Sequence, residues 1–209
     1  MRPVVEASLP SPRTRLLEAA EARFRRFGFK RTTIDDITAD AGTGKGSLYL
    51  HFDSKQSIYL AVVEASLEVF LQKAGAALHG AGGVPQRLRR LVEVTAEHYG
   101  SDELLHASLF GGDEFVDGEV SRRAATLQRS RIRELLLETL RAGQREGSVR
   151  ASIDAEAAAS VLFEIGWAVV RAELEGESDL PLDVALHNLN EIVGLGLLVR
   201  AGPSGEQSS

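Results

Sequence analysis

The stretch Gly42-Thr43-Gly44-Lys45-Gly46-Ser47 gathers three glycines, one ammonium and two hydroxyls within six residues. Glycines let an anion approach the backbone N–H groups, and the lysine and hydroxyls add charge and donors, so the string is suited to holding phosphate. A nucleotide-phosphate loop needs Gly-x-x-x-x-Gly-Lys, but the position five before Gly44 is Ala39. That loop also follows a buried strand, whereas a capped helical pattern precedes this one. What the string does therefore depends on the elements around it. Elsewhere the chain offers little for catalysis. It has no cysteine, which excludes disulfides, thiolate zinc sites and cysteine nucleophiles. No nucleophile elbow or acid/base constellation is present. His98 and His106 stand eight apart without a converging third ligand. No catalytic residue, metal or cofactor is therefore expected, and the chain is not expected to be an enzyme.

The elements that must position this string are helical. Ser11-Pro12 reads as an N-cap followed by proline at the first helical position. Leu16, Leu17, Ala20, Phe24 and Phe27 then recur at three- and four-residue spacing as one apolar face, with Gly28 ending the helix. Thr33 and Asp36 fit a capping box, Ile34, Ile37 and Ala41 point inward, and Gly42 stops this second helix. A third short helix carries Leu48 and Phe52 on one face. Asp53-Ser54 caps a longer fourth helix containing Ile58, Val62, Leu67 and Phe70.

Two short helices joined by about four residues, with glycine at the first stop, match a helix-turn-helix, whose second helix enters the major groove. With Leu48 and Phe52 inward, Lys45, Ser47, Tyr49 and His51 are turned outward or sideways. Charge is consistent with such a head. Residues 1 to 52 carry nine Lys+Arg and six Asp+Glu, or +3, against a net −6 for all 209 residues, so the rest holds −9. An acidic chain overall is no objection if its basic part alone meets nucleic acid. Asp35 and Asp36 read as helix-start electrostatics.

The run from Thr32 to Lys55 resembles the signature of the TetR/AcrR family of transcription regulators. Its Thr-Thr start, its second helix ending in Gly42, and Gly46-Ser47-Leu48-Tyr49-Leu50-His51-Phe52 followed by a polar turn to Lys55 all agree in spacing. Thr43 and Gly44 depart from it, standing where Val-Ser or Val-Ala is commoner. The resemblance covers about residues 13 to 70. It implies an all-α protein with an N-terminal three-helix DNA-binding domain and a C-terminal helical domain for ligand binding and dimerisation. It further implies that Thr33, Tyr49, His51 and Lys55 contact phosphates, and that Thr43, Lys45, Gly46, Ser47 and Leu50 lie nearest the bases. For Tyr49 the residues leave open a ring packed on the first helix, and for His51 a plain surface position.

The body is helical in pattern too. Residues 1–10 and 202–209 read as disordered tails, 11–55 as the DNA-binding domain, 56–79 as a connecting helix and 84–201 as the second domain. Gly80 to Pro85 is the expected boundary. Helices are expected over 86–99, 102–110, 121–145, 155–174 and 182–200, with a polar break from Gly111 to Gly118. Small residues in the last two helices, notably Ala158, Gly166, Gly194 and Gly196, suggest close approach of a symmetry-related copy; packing within one subunit is the alternative. Family logic places a small-molecule pocket in the middle helices, with His98, Tyr99, His106, Phe110, Phe163 and Trp167 as candidates, each of which is equally an ordinary core residue. The N-terminus lacks the apolar stretch of a secretory leader, and no apolar run approaches the roughly 20 residues of a membrane span. A cytoplasmic, dimeric, ligand-responsive repressor of a palindromic operator is the expectation. The competing class is a small-molecule-binding protein or enzyme whose helical head is only structural.

Overall fold

A computed structural model describes residues 10–102, 104, 106 and 118–199. Among these are eight helices: α1 (Pro12–Arg31), α2 (Ile34–Asp40), α3 (Lys45–Tyr49), α4 (Lys55–His79), α5 (Val84–Ser101), α6 (Gly118–Arg145), α7 (Ala155–Leu174) and α8 (Leu182–Leu197). They fall into two compact units. The first comprises residues 1–67 and 102–125, the second 68–101 and 126–209. Phe110, most of the expected helix over 102–110, the polar break before Gly118 and both tails apart from Pro10 lie outside the described residues.

In the first unit, α1 packs on α2 and α3, and α2 on α3. The capping residues do what the sequence requires of them. Ser11 accepts from the Thr14 N–H, and Thr33 and Asp36 close a reciprocal capping box. Gly42 takes φ +60°, the left-handed conformation that stops α2. Leu16, Ala20, Phe24, Ile37, Leu48, Phe52, Ile58 and Tyr59 form the core. Tyr59 stands edge-on to both Phe24 (centroids 4.9 Å) and Phe29 (5.1 Å). Each such pair contributes about 0.5–1.5 kcal/mol beyond burial.

One inward assignment is corrected. Phe27 is 38% exposed, and Phe29 occupies the core in its place. The cause is Gly28, whose φ of +74° and ψ of 171° break the helical path. The chain turns there by an angle that 3.6-residue counting does not anticipate, carrying Phe29 inward.

The second unit holds the end of α4, then α5, most of α6, α7 and α8, with α5 packed on α7 and α8. The expected boundary at Gly80 to Pro85 is a stitched turn inside this unit. Arg87 Nε donates to the Gly80 and Gly82 carbonyls, and Arg90 reaches those of Ala77 and Ala81. Four carbonyl oxygens held by two guanidinium groups of α5 make a fixed corner, whereas glycine content alone reads as a linker. The last helix stops three residues earlier than expected. Val149 pairs with Leu198 in an antiparallel bridge, and the Val199 N–H donates to the Ser148 carbonyl.

Candidate functional site

The outward face of α3 is built by what lies beneath it. Leu48 is fully buried and Phe52 nearly so, which fixes the rotation of the helix. Lys45, Gly46, Tyr49, Leu50 and His51 are exposed in consequence, and Ser47 and Thr43 are half-buried. Leu50 is 83% exposed, a large apolar side chain with no protein neighbour to justify it. Gly46 is equally unexplained from within. Its φ is not in the left-handed range, and a Cβ there would meet nothing within 4 Å. Glycine in a helix costs about 1 kcal/mol relative to alanine, so neither packing nor backbone geometry accounts for it.

Electrostatics leave this face available. Lys45 Nζ lies 2.7 Å from Asp35, and that carboxylate raises the lysine's affinity for its proton. Both side chains are more than half exposed, so the pair contributes little and a phosphate could replace the partner. Thr33 is exposed, but its hydroxyl serves the capping box, donating to Asp36. Arg23 is committed to the acidic side of α2, forming two bonds with Asp40, one of 2.7 Å.

Lys55 departs from its expected role at a phosphate. Its ammonium donates to the carbonyls of Phe29 (2.9 Å) and Thr32 (3.1 Å) and sits over the Phe29 ring at 4.2 Å. Desolvation there lowers its pKa from the ordinary lysine value. These carbonyls end α1 and have no intrahelical donor, so Lys55 caps them and is not part of the outward set.

The acidic groups of α2 predict an acid response. Asp36 is held below the ordinary carboxylate value chiefly by the Thr33 hydroxyl, and Asp40 chiefly by Arg23. A carboxyl whose pKa is lower folded than unfolded stabilises above its unfolded value and loses that contribution as pH falls through the folded one. Arg23→Met is therefore expected to lower the thermal midpoint at pH 7. The deficit should fade at pH values below the ordinary carboxyl pKa of about 3.9, as Asp40 becomes protonated in the folded state. A deficit that is constant from pH 7 to pH 2 in calorimetry would contradict it.

The second unit contains a cavity bounded by α5, α6, α7 and α8 and open to solvent. Its walls are mainly aliphatic, with Phe163, Trp167 and the backbone of Gly166 on α7. Of the six residues expected there, Phe163 and Trp167 line it, their rings stacked at 6.3 Å. His98 and Tyr99 do not line it. They are buried in an aromatic cluster with Phe70, and Tyr99 meets Trp167 edge-on at 5.6 Å. His106 is half-buried in the first unit and does not line the cavity, and Phe110 is outside the described residues. Asn190 on α8 is a polar wall residue that carries no signature in the sequence. Among the described residues no group of three His, Cys, Asp or Glu converges for a metal. None of the helices among them is long and apolar enough to cross a membrane.

The small residues expected at a subunit interface divide. A Cβ on Gly166 would touch Val92 at 3.5 Å, and one on Gly194 would touch Pro85 at 3.8 Å, so both face their own subunit. Ala158 is half-buried, and Gly196 is exposed with nothing nearby. Large apolar side chains mark a different face. Val161 (56% exposed) and Ile165 lie one turn apart on α7, as do Ile192 (69%) and Leu195 (68%) near the end of α8. Their three- and four-residue spacing was a legible signal.

Residues 16–62 match the family model for bacterial regulatory proteins of the tetR family. The HTH-type transcriptional repressor KstR2 of Rhodococcus jostii (strain RHA1) is 33% identical over 161 residues, covering 76% of this chain and 78% of its own. The chain belongs to the TetR family. It is a TetR-type transcriptional regulator, and the relatives it matches are regulators rather than enzymes. The TetR-family activator FasR of Mycolicibacterium smegmatis is 31% identical over 109 residues, 52% of this chain and 50% of its own. The fold is shared with FadR of Bacillus subtilis, solved in complex with stearoyl-CoA, at a TM-score of 0.65 and 15% identity over 88% of this chain and 98% of that one.

Proposed function

We propose that this TetR-family chain is a cytoplasmic repressor whose dimer binds a palindromic operator and is released by a small molecule entering the cavity of the second unit. The observation that carries the DNA reading is the α3 face, where Leu50 is bare and Gly46 has no internal reason to be glycine. A thymine methyl suits the first, and close approach of a base edge or phosphate suits the second. Thr43, Lys45, Gly46, Ser47 and Leu50 then lie nearest the bases. Tyr49, His51 and Thr33 meet phosphates, with Thr33 doing so while it caps α2. Dimerisation rests on the apolar face of α7 and α8, at which Gly196 also lies. Two heads reading two half-sites follow from a two-fold axis there. Repression agrees with KstR2, which is named a repressor. Release follows if the ligand favours a spacing of the heads that no longer fits the operator.

Fluorescence anisotropy with a duplex from the gene's own upstream region tests this. Wild-type protein should prefer that duplex to a scrambled one, with affinity falling as salt rises. Gly46→Ala should separate two effects. It is expected to raise stability by up to about 1 kcal/mol, because the added methyl meets open space, while weakening the specific complex. Equal binding of both duplexes by wild type, or a Gly46→Ala variant that binds as wild type does, would remove the support for this face.

A further inference from the structure

The cavity wall contains one buried side-chain polar atom without a hydrogen-bond partner. Asn190 Oδ1 is buried and has no partner. Of the other two polar wall residues, Thr95 donates its hydroxyl to the Leu91 carbonyl at 2.6 Å. Arg89, the single charged residue among the described walls, has its Nε on Glu93 at 2.8 Å. The remaining walls are aliphatic or aromatic, chiefly Leu88, Val92, Ile132, Leu136, Phe163 and Trp167.

Two physical consequences follow. Leaving a buried amide oxygen without a partner is costly, so an occupant that supplies one gains more than its apolar area alone provides. A charged head group, by contrast, would be desolvated among walls that are almost wholly hydrocarbon, the one guanidinium, Arg89, being part-exposed and shared with Glu93. From this we infer that the effector is a neutral, largely apolar molecule with one uncharged hydrogen-bonding group, such as a hydroxyl, received by the side-chain amide of Asn190. This rests on the proposal that the cavity is the effector site, and it adds the chemical class and the residue that selects it.

Trp167 is the chain's single tryptophan and lines the cavity, so its emission reports occupancy directly. Decan-1-ol, decane and sodium decanoate share one chain length and differ only in the head. At neutral pH the alcohol should shift Trp167 emission saturably and raise Tm. Decane should bind more weakly, by about five- to tenfold for the one missing hydrogen bond, and decanoate more weakly still. Asn190→Leu should remove the preference for alcohol over alkane. Because it deletes an unpartnered polar atom, it should fold with an unchanged or higher Tm. The class would be overturned if decanoate bound most tightly, if the alcohol and alkane bound equally, or if none of the three altered emission or Tm. Operator release is measured separately by anisotropy. Alcohol binding without release would leave the ligand class standing and count against the repressor reading instead.

Discussion

Replacing both Ile192 and Leu195 by aspartate is expected to yield a folded monomer that binds its operator at least about a hundredfold more weakly than wild type. These side chains are about two-thirds exposed on α8, one turn short of its end, and nothing in the subunit covers them. If a second copy covers them, four carboxylates from two subunits would be brought together and desolvated, a cost no surrounding group offsets. Two heads on one dimer bind as a linked pair, and the second contact gains an effective concentration commonly raising affinity by about 10²- to 10⁴-fold. Separating the subunits forfeits that gain without touching α3. Sedimentation velocity and anisotropy on the same sample check both halves. A double variant that remains dimeric would place the interface elsewhere. One that is monomeric yet binds normally would refute the two-headed reading.

The second large effect concerns the first unit. Asp102→Ala is expected to destabilise it by about 2–3 kcal/mol, read from denaturant or thermal unfolding. The Asp102 carboxylate takes two bonds from Arg25, at 2.7 and 3.0 Å, one from the Ser66 hydroxyl at 2.6 Å and one from the Leu104 N–H at 3.1 Å. The carboxylate raises the pKa of the guanidinium, and Glu21 adds a weaker contribution. Removal leaves Arg25 with the exposed Glu21 alone and takes from the buried Ser66 hydroxyl its carboxylate acceptor. Arg25 keeps 35% of its side chain in water, which is why the effect falls below the range for a wholly buried pair. Arg25→Met in the same background should recover much of the loss, since it removes the under-partnered charge while keeping the apolar stem. If the double variant is as unstable as Asp102→Ala alone, the carboxylate acts through something other than Arg25.

How far the sequence could be read differs sharply between the two units. In the head, each device is local. A cap lies three residues from its partner, a glycine stops a helix, and Leu48 and Phe52 share a face four residues apart, so spacing alone conveys them. Phe27 and Phe29 show where that ends. The count is correct up to Gly28, and a single left-handed residue then exchanges which ring is inside. Lys55 shows the same limit for chemistry, because a lysine on a polar turn looks like a phosphate ligand until the carbonyls of Phe29 and Thr32 are found beside it. In the body the decisive contacts are distant in sequence. Gly166 meets Val92 across 74 residues, and Arg87 and Arg90 bind backbone carbonyls, which carry no residue signal at all. An asparagine becomes a selective wall group only when helices from four parts of the chain surround it.

The way α3 is mounted has a practical consequence. Its orientation is held by Leu48, Phe52 and the α1 end that Lys55 closes, whereas positions 44 to 46 and 49 to 51 are exposed on the surface of their own unit. Support and outward face thus occupy different residues. New side chains grafted at the exposed positions, with Ile37, Leu48, Phe52 and Lys55 retained, should retarget this head to other sequences while it folds as before.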